Sequence, residues 1–288
     1  EATIDAMVGD VGRYCFSPYQ ARLGNMIEEN PELVLAFAAR DRSRLLEFIH
    51  YLMLPVTHLI HLYIRLLLRL KGRRRDSPFV TREELLVMAD ICLRRHMIII
   101  SDEIHCDLVF NGHRHIPIAS IDKEIAASTV TLIAPSKTFN IAGLDCSMLI
   151  CTNSELRKKI KHTRRGLMGG VNLLGMAAAA AAYRDGSEWL KEVLAYMEAN
   201  RDHLMTYLAE NLPQIRMAKP EATYLAWLNC NELPLDVSAG DYFRKHARVA
   251  LNCGEEFGEP GKGYVRLNFG CSRETLDCAL ERIKSSLK

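Results

Sequence analysis

Two short aliphatic runs, each closed by a polar cluster, constrain the fold of this chain more than any other feature. Thr129 to Ala134 is rich in β-branched and aliphatic residues and short, so it reads as a buried strand, stopped by Pro135 and Ser136. Met97 to Ile100 is a second such run and ends in Ser101, Asp102 and Glu103. Before it, Thr81 and Glu84 make a capping box, and Leu85, Leu86, Ala89, Ile91, Cys92 and Leu93 put an apolar stripe on a helix ending near Arg95. A helix feeding a short apolar strand, with another strand following, is the rhythm of an α/β fold with a largely parallel sheet. Ligands of open α/β sheets bind at the carboxyl ends of the strands. Here those ends carry Asp102 and Lys137.

A lysine just beyond a buried strand is expected to be partly desolvated, which makes its neutral amine available for Schiff-base chemistry. The plainer reading is a surface lysine at a strand end. An aspartate facing the same crevice shifts the balance, because it can hold a pyridinium nitrogen protonated while the lysine carries the carbonyl carbon of pyridoxal 5'-phosphate.

Composition sets the outer limits. With 288 residues and 49% hydrophobic residues the chain can fill one large core or two smaller ones. The formal charge of +2 gives no general attraction to nucleic acid. Nine cysteines, odd in number, scattered and without a C-x-x-C pair, fit reduced thiols in a cytoplasmic protein rather than a disulfide framework or a zinc site. The chain shows no cleavable signal peptide, and a start at Glu1 rather than methionine suggests a processed or incomplete product.

The segments SDEIHCDLVF (101–110), APSKTFNIAGL (134–144), ATYLAWL (222–228) and GYVRLNFG (263–270), in this order, resemble fold-type I pyridoxal-phosphate enzymes of the class I/II aminotransferase group. The DEIHCDL wording is most similar to the cystathionine and cysteine-S-conjugate β-lyase branch. The resemblance runs from about Phe79 to the C-terminus. It implies the aspartate aminotransferase fold: a largely parallel sheet with helices, plus a smaller α+β C-terminal domain. It also implies a partial cofactor-binding domain over 79–211 and a small domain over 212–288, preceded by a region over 1–78 that reads as helical and atypical of the family.

Carried over residue by residue, the resemblance makes Lys137 the catalytic, cofactor-holding lysine. Asp102 partners the ring nitrogen, His105 the phenolic oxygen and Ser136 the phosphate. Arg266 is a guanidinium inside an otherwise apolar strand, and buried arginines are rare unless paired. Its fork fits a carboxylate, and by resemblance it takes the substrate's α-carboxylate. An internal salt bridge is the alternative for Arg266. Tyr224 and Trp227 read as core. The activity implied is a carbon–sulfur β-lyase acting on cystathionine or a cysteine S-conjugate and giving thiol, pyruvate and ammonia. The alternatives are an aminotransferase on the same residues and a non-catalytic remnant of the family. A homodimer is implied, and no metal.

The chain departs from the pattern in two places. Upstream of Thr81, relatives of this kind carry a phosphate-holding turn, a ring-stacking aromatic and an N-P-x-N-P-x-G loop, whereas Lys71 to Val80 reads KGRRRDSPFV. Asp145 stands where many aminotransferases have a phosphate-binding arginine. Phe48 to Ile64 lacks formal charge and leads into a basic cluster ending at Arg75. Its three histidines and Pro55 favour a buried or interfacial helix pair over membrane association of 48–70. Pro31 to Arg40 reads as a helix start. His113 and His115 read as surface residues around Gly112. Later segments read as a basic helix from Ser154, a flexible break at Gly166 to Asn172, an alanine-rich helix from Leu173 and a long helix from Ser187 to about Asn211. The apolar side of that long helix includes Trp189, Leu190, Leu204 and Leu208.

Overall fold

The computed structural model describes residues 80–163 and 170–287. The expectations for Pro31 to Arg40, for the apolar stretch at 48–70 and for the KGRRRDSPF segment, together with much of the break before Asn172, lie outside the described residues. The described chain forms two compact units. One comprises Val80–Cys106 and His115–Gly186; the other comprises Asp107–Arg114 and the residues from Ser187 onward.

In the first unit, helix α1 (Arg82–Arg94) starts at the expected capping box. The Thr81 hydroxyl accepts from the Glu84 amide at 3.3 Å, and the Glu84 carboxylate accepts from the Thr81 amide at 2.9 Å. His96, in a left-handed conformation (φ 52), turns the chain into β1 (Ile99–Asp102). Helix α2 (Lys123–Ala127), capped by Asp122, leads into β2 (Thr129–Ile133). β1 and β2 pair in parallel, from Ile99 opposite Thr129 to Asp102 opposite Leu132. The third strand, β3 (Met148–Ile150), runs antiparallel to β2, so among the described residues the parallel register is confined to β1 and β2.

Alternation along the strands sends neighbours to opposite faces. Ile99 packs with Ala89 of α1, Ile125 of α2 and Ile118, whereas Ile100 packs with Val130, Leu132, Leu149 and Ile160. Ile160 belongs to α4 (Ser154–Thr163), so helices cover both faces, in keeping with the burial of successive residues along β2. Between β2 and β3 lie a one-turn helix, α3 (Pro135–Thr138), opened by Pro135 at its first position, and a 3-10 turn over Ala142–Leu144. Helix α5 (Leu173–Asp185) is capped by Asn172, whose side chain accepts from Gly175 and donates to the Leu144 carbonyl, both at 2.8 Å. Gly175 lies so close to the Leu144 carbonyl oxygen that any Cβ there would collide with it.

The second unit is built on helix α6 (Ser187–Asn211), an antiparallel sheet and a closing helix, α8 (Arg273–Ser286). The sheet has the order β4 (Arg216–Met217), β5 (Leu225–Asn229), β7 (Tyr264–Asn268), β6 (Asn252–Cys253). A short helix, α7 (Ala239–Tyr242), continues as a π-helical turn over Phe243–Ala247. Ala226, Leu228, Val265 and Leu267 point into a core shared with Leu204, Leu208, Phe243, Phe269, Leu276 and Leu280. Asn200, fully buried on α6, donates to the carbonyls of Phe269 and Cys271 and accepts from Arg273 Nε, which fastens the chain leaving β7 to the long helix. Trp189 departs from the expected apolar side of α6: it is 45% exposed, because the core contact of this helix begins at Leu194 and Met197. Among the described residues, no helix is long and apolar enough to cross a membrane.

Candidate active site

Parallel pairing of β1 and β2 brings their carboxyl ends to one edge of the sheet. Asp102 is the last residue of β1, and Ser136 and Lys137 lie on the helical turn that starts two residues beyond β2. An aspartate and a lysine thus follow neighbouring strands at one edge of the sheet. Lys137 is exposed rather than partly desolvated, contrary to expectation, because Pro135 starts a helical turn that swings the chain out of the sheet. Among the described residues it has no hydrogen bond or ion pair. Asp102 is also exposed, and its carboxylate receives a long 3.4 Å contact from the Ile104 amide. Both groups are therefore open to a ligand.

Ser136 is half-buried, with its hydroxyl 3.4 Å from the Cys146 carbonyl, a weak bond that a better acceptor would displace. His105 is half-buried in the turn after β1. Asp145 is exposed in a left-handed conformation (φ 49), which aspartate tolerates better than most residues. Glu103, next to Asp102, is buried. Its carboxylate accepts from the Ser101 hydroxyl at 2.8 Å, and its other oxygen lies 2.8 Å from His115 Nε2. His115, read as a surface residue, is thus the partner of a buried carboxylate. No sequence pattern announces that pair across its separation of twelve residues.

Arg266 lies in the second unit, on β7, half-buried and on the sheet face away from the core. It pairs across strands with Trp227. Trp227 is 38% exposed, stacks on Tyr264 at 5.6 Å and meets Phe257 edge-on at 5.4 Å, so it is not core as expected. The reason is parity: in β5 the alternate residues Ala226 and Leu228 fill the core, which leaves Leu225 and Trp227 on the opposite face. Tyr224 is half-buried. Burial pushes its phenol above the usual range, against the opposing pull of the nearby Arg266 charge. Arg266 Nη2 donates to Asn252 Oδ1 at 3.0 Å, and the guanidinium carbon sits 4.6 Å from the centre of the Phe257 ring. Its Nε is buried without a hydrogen-bond partner, and among the described residues no carboxylate pairs with it. The internal salt bridge weighed for Arg266 is therefore not seen among them.

The fold and the edge chemistry define an α/β protein that offers an amine and a carboxylate at the carboxyl ends of adjacent parallel strands. Residues 79–283 match the family of class I and II aminotransferases, and the chain belongs to that family. It is 41% identical over 209 residues to cystathionine beta-lyase PatB of Bacillus subtilis (strain 168), covering 72% of this chain and 54% of that protein. Among solved structures it is similar to cystalysin from Treponema denticola with its pyridoxal 5'-phosphate cofactor, with TM-score 0.70, 31% identity, and 72% and 53% of the two chains covered. It is also similar to the PLP-bound C-S lyase from Staphylococcus hominis, with TM-score 0.66, 34% identity, and 72% and 54% covered. The chain spans about half the length of the curated relatives it matches.

Proposed function

We propose that this chain is a pyridoxal-phosphate-dependent carbon–sulfur β-lyase acting on cystathionine or a cysteine S-conjugate. The observation that carries the reading is the parallel register of β1 and β2, which sets Asp102 and Lys137 at one edge, both open. The donor set there fits pyridoxal 5'-phosphate: an amine for its carbonyl carbon, a carboxylate for its ring nitrogen and a hydroxyl for its phosphate, from Lys137, Asp102 and Ser136, with His105 beside Asp102 for the phenolic oxygen. When bound, the group supplies an electron sink for negative charge developing at the substrate's Cα.

The remaining roles belong to the chain. Lys137 Nζ takes the proton from Cα as general base. With the cofactor bound, the Asp102 carboxylate would favour the protonated form of the ring nitrogen, since an adjacent negative charge stabilises it. In the second unit, Arg266 is the proposed group for the substrate's α-carboxylate. With cystathionine, proton loss at Cα is followed by departure of the thiolate from the β-carbon. Water then completes the conversion to homocysteine, pyruvate and ammonia. The names of the relatives support the lyase reading; a homodimer and a cytoplasmic setting accompany it as parts of the same proposal.

The test is incubation of the purified chain with pyridoxal 5'-phosphate and L-cystathionine, with pyruvate and free thiol measured together. Equal release of both is expected. Formation of glutamate from 2-oxoglutarate without pyruvate would make the protein an aminotransferase. No product in either assay would overturn the enzymatic reading.

A further inference from the structure

We infer that Asn252, Glu256 and Phe257 are positioning residues that hold the guanidinium of Arg266 for a carboxylate ligand. The inference rests on the reading of Arg266 as the carboxylate-holding group. Arg266 is poorly satisfied for a structural arginine: its Nε is buried without a partner, and among the described residues Asn252 Oδ1 is the acceptor recorded for the side chain. A buried unpaired donor is costly to keep, so something other than its own hydrogen bonding holds this group in place.

Three contacts do so. Asn252 anchors one corner through Nη2, and the Phe257 ring lies against the guanidinium plane, an arrangement favoured by cation–π attraction. The third contact sets the direction of Asn252. Its Nδ2 donates to Glu256 Oε2 at 3.2 Å, while the other oxygen of Glu256 accepts from the Cys253 amide at 3.3 Å. An amide that donates to Glu256 must turn its oxygen toward Arg266. The reversed amide would place NH2 against guanidinium donors and oxygen against a carboxylate. Glu256 and Phe257 come from one short turn, Gly254–Phe257, directly after β6. Gly254 and Gly261 lie in mutual contact, so a Cβ on either would collide with the carbonyl oxygen of the other, which fixes that turn. Held by one corner and one face, the guanidinium keeps Nη1 and the second Nη2 hydrogen for a carboxylate.

Trp227, the cross-strand neighbour of Arg266, is one of two tryptophans, and Trp189→Phe makes it the single reporter. The experiment titrates L-cystathionine into the full chain carrying that substitution and follows Trp227 emission, with melting temperature measured in parallel. A saturable change is expected, abolished by Arg266→Ala. Loss of one orienting contact corresponds to about five- to tenfold weaker binding for Asn252→Ala and for Phe257→Leu, with Phe257→Tyr, which keeps the ring, close to the parent. A purely structural role would lower the melting temperature of these variants and leave affinity unchanged, and that result overturns the inference alone. If Arg266→Ala binds like the parent, or the parent shows no binding, the carboxylate reading of Arg266 falls and the inference with it.

Discussion

Replacing Asn200 by leucine tests how the strand that carries Arg266 is held. Asn200 is fully buried, and its side chain makes three hydrogen bonds: to the Phe269 carbonyl at 3.1 Å, to the Cys271 carbonyl at 2.8 Å and from Arg273 Nε at 2.9 Å. Leucine fills a similar volume but strips all three. The bond to Phe269 is buried and the other two are partly solvated, so about 2 kcal/mol for the first and roughly half a kcal/mol for each of the others give a loss of about 3 kcal/mol. Asn200→Asp keeps the acceptor for Arg273 and loses the donor, so it falls between. Both tryptophans, Trp189 and Trp227, lie in the second unit, and urea unfolding followed by their emission reports that unit. With a slope of about 2 kcal/mol per molar urea, the midpoint drops by about 1.5 M at unchanged slope. A drop below about 0.3 M would show that Asn200 does not fasten the chain after β7.

The other predictions concern the same unit. Gly261→Ala, which places a Cβ against the Gly254 carbonyl oxygen, lowers the melting temperature and weakens L-cystathionine binding together; unchanged values of both contradict the close packing of the turn. Burial pushes Asp202 upward, but Arg201 at 2.7 Å and Lys219 at 3.3 Å outweigh it and hold the carboxyl below the usual range. A depressed carboxyl stabilises the fold above its unfolded pKa of about 4 and loses that contribution as pH falls through the folded value. Because the side chain is half exposed, Asp202→Asn removes at most about 1 kcal/mol near neutrality and flattens the acid limb of a stability–pH curve; an unchanged acid limb contradicts the pairing. Burial pushes the Cys230 thiol up to about 12, while Cys278 is exposed. Iodoacetamide at pH 8 therefore modifies Cys278 well before Cys230, as read by peptide mass, and early labelling of Cys230 contradicts the packing of β5.

What the sequence discloses follows from how local each signal is. The capping box at Thr81, the two strands and the Asp102–Lys137 edge are readable because each is a short apolar run with a polar stop, and parallel pairing then brings those stops together. The exposure of Lys137 is not readable, since it depends on a single helical turn inserted after β2. Trp227 misleads for a related reason: YLAWL is apolar on both parities, so the run does not say which one meets the core. The signal that settles it lies on the neighbouring strand, where YVRLN alternates and its arginine marks the outer face that register assigns to Trp227. The Glu103–His115 pair and the Asn252–Arg266 contact join residues that only the folded backbone brings together.

The central claim is that Lys137 holds the cofactor, and the most direct measurement is borohydride reduction after titration of the purified chain with pyridoxal 5'-phosphate, followed by peptide mass mapping. The account predicts a single reduced pyridoxyl adduct on Lys137, formed with a visible absorbance that Lys137→Ala abolishes. A folded chain that carries the adduct on another lysine, or none at all, contradicts it.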